Sequence, residues 1–264
     1  MKRSVAFLDV LGFRRLVETT PADDLGNKFV KLTDVLFQHL NKPMVPNHQS
    51  PRLFPEHAPG LLWCTSHVFS DSMILISHDD SESDCLKLLV FVLRAMQVMI
   101  ASNLPVRGAA AFGEMFVDLD RRLFLGRALT TAYDPEQRQD WIGVTVDESV
   151  PSAFPSICAG KNAPILEALF PKYEVPLKSG TASSFRTVNW RWNLVVEKGI
   201  RSLFHLPSDW AERRKVLNTL EYARFVRSAG LAYPENDENV PLEVRAFFVG
   251  AGPPPPRYQH GDEL

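Results

Sequence analysis

Val5-Ala6-Phe7-Leu8-Asp9-Val10-Leu11-Gly12-Phe13 sets the reading of this chain: a short apolar run ends in an aspartate, and a glycine turn closes it. Residues 4–10 read as a fully buried strand. A carboxylate at the mouth of such a strand loses hydration, and a divalent cation shared with a second carboxylate is one of the few partners able to offset that loss. The second carboxylate is Asp71, in His67-Val68-Phe69-Ser70-Asp71-Ser72-Met73-Ile74-Leu75-Ile76. It falls at a tight turn between two further expected strands, 61–68 and 72–77. Side by side, two such strand ends would make a two-metal phosphoryl-transfer site. Each aspartate alone also fits a simpler role, Asp9 opening a helix and Asp71 closing a hairpin.

Outward from these two points, a helix should start at Pro21 with Thr20 as N-cap and an apolar stripe at Leu25, Phe29, Leu32, Leu36 and Leu40. The proline-rich stretch 41–60 reads as an irregular loop. Ser81-Glu82-Ser83-Asp84 has the form of a capping box before a long helix to about residue 102 that is apolar on most of its circumference. A second hairpin is expected from 106–112 and 115–118. Its Gly108, Ala109, Ala110, Ala111 and Gly113 are small enough to admit another backbone or a ligand. Residues 126–140 read as a helix and 141–146 as a strand, giving an α+β order with helices on a mixed sheet. Later on, 173–177, 187–194 and 242–250 read as strands, and 208–228 as a helix capped by Ser208. The expected division is a core at 1–150, a C-terminal α/β extension packed on it at 151–250, and a disordered Pro-rich tail at 251–264.

With 264 residues, 45% hydrophobic and 23% charged, the composition is that of a soluble globular protein able to bury a sizeable core. A formal charge of −2 gives no global reason to expect nucleic acid or direct membrane contact, so any phosphate binding must be local. The three widely spaced cysteines, Cys64, Cys85 and Cys158, suit neither a disulfide framework nor a zinc knuckle, and point to a reducing, cytoplasmic setting.

Four motifs in order resemble the catalytic domain of class III nucleotidyl cyclases. Asp9-Val10-Leu11-Gly12-Phe13 is similar to that family's Asp-x-x-Gly-Phe turn, and Phe69-Ser70-Asp71 to its second metal-binding hairpin. Arg107-Gly108-Ala109-Ala110-Ala111-Phe112-Gly113-Glu114 approaches its small-residue hairpin, and Gly126-Arg127-Ala128-Leu129-Thr130-Thr131-Ala132 its Gly-x-x-(Val)-Asn-x-Ala helix. The departures narrow the resemblance. Where purine cyclases place base-reading Lys and Asp or Cys residues, this chain has His67 and Leu123; where they place a transition-state Asn and Arg, it has Thr130 and Asp134. Keeping the metal aspartates without the purine-reading set, and carrying Ala132-Tyr133-Asp134-Pro135-Glu136-Gln137, it resembles the bacterial pyrimidine cyclases of the Pycsar anti-phage system.

That resemblance implies a ferredoxin-like core and a homodimer with sites at the subunit interface. It also implies conversion of UTP or CTP to the 3′,5′-cyclic monophosphate, a second messenger read by a separate effector. Asp9, Asp71 and the Val10 carbonyl would hold two Mn²⁺ or Mg²⁺ ions. The amides of Leu11, Gly12 and Phe13 would hold phosphate, or Gly12 is a plain turn glycine and Phe13 a core residue. His67 would meet a pyrimidine edge, or is an ordinary packed histidine. Thr130 and Arg138 are the candidate catalytic donors, with an i,i+4 pair between Arg138 and Asp134 as the competing use of Arg138. Two other readings stay open: a catalytically silent nucleotide-binding module, and a purine cyclase with a rewired pocket.

Overall fold

The first strand, β1 (Lys2–Val10), is a spine with a neighbour on each side in the computed structural model, which describes residues 1–36, 64–157, 163–190 and 209–231. It is followed by α1 (Phe13–Thr19), α2 (Ala22–Thr33), the hairpin of β2 (Thr65–Phe69) and β3 (Ser72–Ile76), α3 (Glu82–Ala101) and β4 (Val106–Glu114). The short pair β5 (Phe116–Asp118) and β6 (Leu123–Leu125) leads into α4 (Arg127–Arg138) and β7 (Gly143–Val146). Then come α5 (Ser149–Ala153), α6 (Ala163–Leu169), the hairpin of β8 (Lys172–Pro176) and β9 (Ala182–Thr187), and α7 (Trp210–Ser228). Among the described residues seven strands form one mixed sheet in the order β2-β3-β1-β4-β7-β9-β8. β1 is antiparallel to both β3 and β4, and among the described strands only β4 and β7 run parallel. A parallel step needs a long crossover, which β5, β6 and α4 supply. The fold is thus the expected α+β, a mixed sheet with helices.

Alternation along β1 sends its residues to two different layers. Ala6, Leu8 and Val10 enter the large core with α3, whose Leu88, Leu89, Phe91, Val92 and Met96 are all buried. On the opposite face Val5 joins Ile76, Met115 and Ala128 in a smaller cluster under α4, and the Phe7 ring meets Tyr133 edge-on at 5.3 Å. Ala109, Ala111 and Gly113 of β4 belong to this layer, while Ala110 and Gly108 turn to the large core with Ala6 and Leu8. A Cβ on Gly113 would stand 3.5 Å from the Ala128 nitrogen, so the close approach expected of a backbone or a ligand there is made by α4 itself. Gly126 serves the same packing, since a Cβ there would lie 2.7 Å from the Met115 Cα.

Several local expectations are corrected. Thr20 is not an N-cap; it closes α1, its N–H donating to the Leu16 carbonyl, and is held extended as residues before proline are. Residues 115–118 do not pair with β4, which pairs with β1 along its whole length and with β7 at Arg107–Ala110; β5 turns away and pairs with β6 instead. The strand read at 187–194 is displaced: β9 ends at Thr187, and Trp190 is fully buried beyond it. The last helix is capped by Asp209 rather than Ser208, with Oδ1 accepting from the amides of Ala211 and Glu212 at 2.8 and 3.0 Å. At α3 the Ser81 hydroxyl does accept from the Asp84 amide, but Asp84 returns its carboxylate to His78 and Asp79. The loop 41–60, Leu40, residues 61–63, Cys158, Trp192, the strand 242–250 and the tail 251–264 lie outside the described residues.

Past residue 150 the β8–β9 hairpin continues the same sheet beside β7. α7 is fastened to it by Tyr222, fully buried, with ring centroids 4.9 Å from both Trp141 and Tyr173 and its hydroxyl 3.0 Å from that of Thr187. Among the described residues no helix is long and apolar enough to cross a membrane. Cys64 and Cys85 are both buried, and burial pushes the Cys85 thiol up to about 12.

Candidate active site

The two aspartates meet where β1 ends against the β2–β3 turn. Val10 donates its N–H to the Asp71 carbonyl at 2.9 Å, continuing the β1–β3 ladder by one pair beyond Asp9 and Ser72. In an antiparallel ladder a residue's N–H and C=O point to the same neighbour, so the Val10 carbonyl also faces the Asp71 turn. Ser70, at φ +55, takes the left-handed conformation that makes this turn tight. Asp9, Asp71 and the Val10 carbonyl are therefore neighbours, as their strand-end positions imply.

Asp9 stands on the α4 face of the sheet, directly opposite Arg107 of β4. Its carboxyl is pushed up from 3.8 to about 6, chiefly by burial and then by the negative charges of Glu136 and Asp71; Arg107 and Lys178 offset part of this. The arginine is close, with Nη2 3.9 Å from Asp9 Oδ2, but it is committed elsewhere. Its Nε and Nη2 both lie 2.6 Å from Oε1 of Glu136, a fully buried carboxylate, and its Nη1 donates to the Gln139 carbonyl at 3.1 Å. The second oxygen of Glu136 accepts from the Gln137 side chain at 2.6 Å. The result is a surplus of carboxylate at the strand ends, with the nearest cation largely neutralised.

Arg107 and Glu136 were not among the expected site residues. Arg107 sits in the small-residue motif, but only strand register places it against Asp9. Glu136 could have been found from helical spacing, since it follows Ala128 and Ala132 on the buried stripe of α4. Lys178 comes from the β8–β9 turn, where its N–H donates to the Arg138 carbonyl at 2.9 Å. Nothing in the local sequence marks it.

The Asp9-to-Phe13 turn matches its expected shape with one correction. Gly12 has φ +76, a conformation that disfavours any side chain, and opens α1. The Leu11 amide is not free for phosphate, because it donates to the Pro105 carbonyl at 2.8 Å. The amides of Gly12 and Phe13, at the mouth of the helix, are the ones left for that role. The Phe13 ring packs edge-on against Phe29 at 5.6 Å but stays half-buried, so it lies at the margin of the core rather than within it.

The remaining expected residues stand apart from the aspartates. His67 pairs with Ile74 on the outer strand of the sheet, on the same face as Asp9, and its ring lies 5.0 Å from that of Phe124. Thr130 is exposed and its hydroxyl donates to the Arg127 carbonyl at 3.0 Å. Arg138 is also exposed; its Nε donates to the backbone carbonyl of Asp134 at 3.3 Å, so the expected i,i+4 pair with the Asp134 carboxylate is not formed. Thr130, Asp134, Gln137 and Arg138 are exposed, off the stripe of Ala128, Ala132 and Glu136 that α4 presses onto the sheet. Within one chain, Thr130 and Arg138 face away from Asp9 and Asp71. No three His, Cys, Asp or Glu side chains cluster as a metal centre among the described residues.

No protein-family model matches the sequence, and no curated protein does. Several solved structures are similar at low identity. The adenylyl cyclase CyaB from P. aeruginosa shares 12% identity over 71% of this chain and 94% of its own, with a TM-score of 0.48. The monomeric guanylyl cyclase domain of the RhoGC fusion protein from the aquatic fungus Blastocladiella emersonii shares 14% over 71% and 94%, with a TM-score of 0.49. The guanylate cyclase domain of RhGC from Catenaria anguillulae, in complex with GTP, shares 14% over 71% and 96%, with a TM-score of 0.45.

Proposed function

We propose that this chain is a pyrimidine nucleotide cyclase that converts UTP, with CTP as the other candidate, to the 3′,5′-cyclic monophosphate and pyrophosphate. The observation that carries the reading is the juxtaposition of Asp9 and Asp71 by the Val10–Asp71 bond, at a strand end whose negative charge Arg107 and Lys178 offset only in part. Capping roles explain each aspartate separately but not why both carboxylates share one site where the Asp71 charge adds to the cost of ionising Asp9. Two hard carboxylates beside a backbone carbonyl fit Mn²⁺ or Mg²⁺, and substrate oxygens and water would complete the shell. When bound, such ions supply a lowered pKa for the ribose 3′-hydroxyl and charge neutralisation for the triphosphate.

The chain's own residues then divide the work. Asp9 and Asp71 hold the cations, and Gly12 and Phe13 offer amides to the terminal phosphates. His67 is placed on the same sheet face to meet the base. Thr130 and Arg138, pointing outward from α4, reach a substrate only in the site of a second copy, so the active unit is a homodimer. Residues 1–150 would make up the catalytic core, followed by an extension at 151–250. The product serves as a second messenger to a separate effector in anti-phage defence, in the cytoplasm, where buried Cys64 and Cys85 stay reduced.

Incubating the protein with each of the four ribonucleoside triphosphates and Mn²⁺, with products identified by mass spectrometry, tests this. Cyclic UMP or cyclic CMP supports the proposal, cyclic AMP or GMP makes it a purine cyclase, and no cyclic product makes it a silent nucleotide-binding module. Asp71→Ala should abolish turnover and leave the fold intact, because the turn uses the Asp71 backbone carbonyl rather than its side chain. A retained rate would remove the aspartate pair from the mechanism.

A further inference from the structure

We infer that Glu136 is a positioning residue that keeps Arg107 from neutralising Asp9, and so sets the cation affinity of the Asp9–Asp71 site. This rests on the reading of those aspartates as metal-holding groups. Arg107 is the residue directly across the ladder from Asp9, almost fully buried, and its guanidinium lies 3.9 Å from the Asp9 carboxylate. A guanidinium released at that distance would form the ordinary two-point pair with a carboxylate and take the oxygens a cation needs. Glu136 prevents this with two contacts of 2.6 Å to Nε and Nη2, while the Gln139 carbonyl holds Nη1. The pair is neutral as a unit, and it leaves the charge of Asp9 available. An apolar residue at position 107 would avoid the problem altogether. Arg107 instead ties α4 and the 139–140 segment to β4, and Glu136 makes that tie compatible with an anionic site.

Charge arithmetic gives a sign that a purely structural role does not. In Glu136→Gln the amide oxygen can still accept from Arg107, but the arginine's positive charge is no longer cancelled. A uncompensated unit charge a few ångströms from the ligands weakens cation binding by at least about fivefold. In the double variant Arg107→Gln/Glu136→Gln the pair is neutral again, and affinity returns to within about twofold of the unaltered protein. A structural tie alone predicts lower stability in both variants and no rescue of affinity by the second change.

The test is Mn²⁺ binding without nucleotide, followed by the electron paramagnetic resonance signal of free Mn²⁺, on the full chain and both variants, with thermal unfolding run alongside. Weaker binding in Glu136→Gln, restored in the double variant, supports the inference. Unchanged binding in Glu136→Gln, or a double variant as weak as the single, overturns it. If Glu136→Gln does not fold, the double variant decides alone, and a loss beyond about twofold refutes the inference. Absence of Mn²⁺ binding in the unaltered protein is a different result: it removes the metal reading itself, and the inference with it.

Discussion

Asp9→Asn should make the metal-free protein more stable, and only above a defined pH. In the unfolded chain this carboxyl titrates near 3.8, and in the fold near 6. Between these values the folded state binds more protons than the unfolded one, so stability falls as pH rises through the window and the loss is complete above about pH 6. The gap sets a ceiling of about 3 kcal/mol, at about 1.4 kcal/mol per tenfold change in proton affinity. The Asp9 side chain is 21% solvent-accessible, and screening brings the expected gain to about 1–2 kcal/mol. Asparagine keeps the shape and removes the charge. Urea unfolding of both proteins without metal should show the variant ahead by that amount near pH 8 and level with the unaltered protein near pH 4. Mn²⁺ should then stabilise the unaltered protein above pH 6 and do little for the variant, because a ligand that binds only the folded state adds its binding free energy to stability. A variant no more stable near pH 8, or a difference that does not change with pH, would show that the strand end does not hold Asp9 against its own charge.

Two further outcomes follow from the same geometry. Gly12→Ala places a Cβ at φ +76 and should cost about 1–2 kcal/mol in urea unfolding, with a larger proportional loss of turnover if the Gly12 and Phe13 amides position phosphate. Mixing inactive Asp71→Ala and Arg138→Ala proteins should restore roughly a quarter of full activity, because half of the re-sorted dimers carry one intact composite site of two; no recovery after confirmed subunit exchange would place both residues in one chain's site.

The strand-end aspartates were legible because each breaks an apolar run, a contrast confined to a few neighbouring residues. What surrounds them was not, for reasons that are also physical. Arg107 meets Asp9 through the antiparallel register of two strands about a hundred residues apart, and register is set by which faces are buried, a property of the whole sheet. β9 was misplaced because Ala182-Ser183-Ser184-Phe185-Arg186-Thr187 has little apolar alternation; it is a strand because β7 and β8 pair with it. Ser208 and Asp209 are equally good caps by residue type, and only the backbone path chooses between them.

The small residues of β4 bear most directly on the site. Read alone, Gly108 to Gly113 mark a surface that something approaches closely, with no indication of what. On the face of Ala109, Ala111 and Gly113 the fold answers with α4, whose buried Ala128 and Ala132 let the helix lie close to the strand. That close seating is what brings Glu136, one turn beyond Ala132, within 2.6 Å of Arg107 at the start of the same strand. An alanine at Gly113 would fit at ordinary contact distance, whereas a side chain longer than that would act on the aspartates only through this chain of contacts, lifting α4 and loosening the hold on Arg107. The glycine and alanine pattern is therefore part of the site's electrostatics, although none of those residues touches a charge.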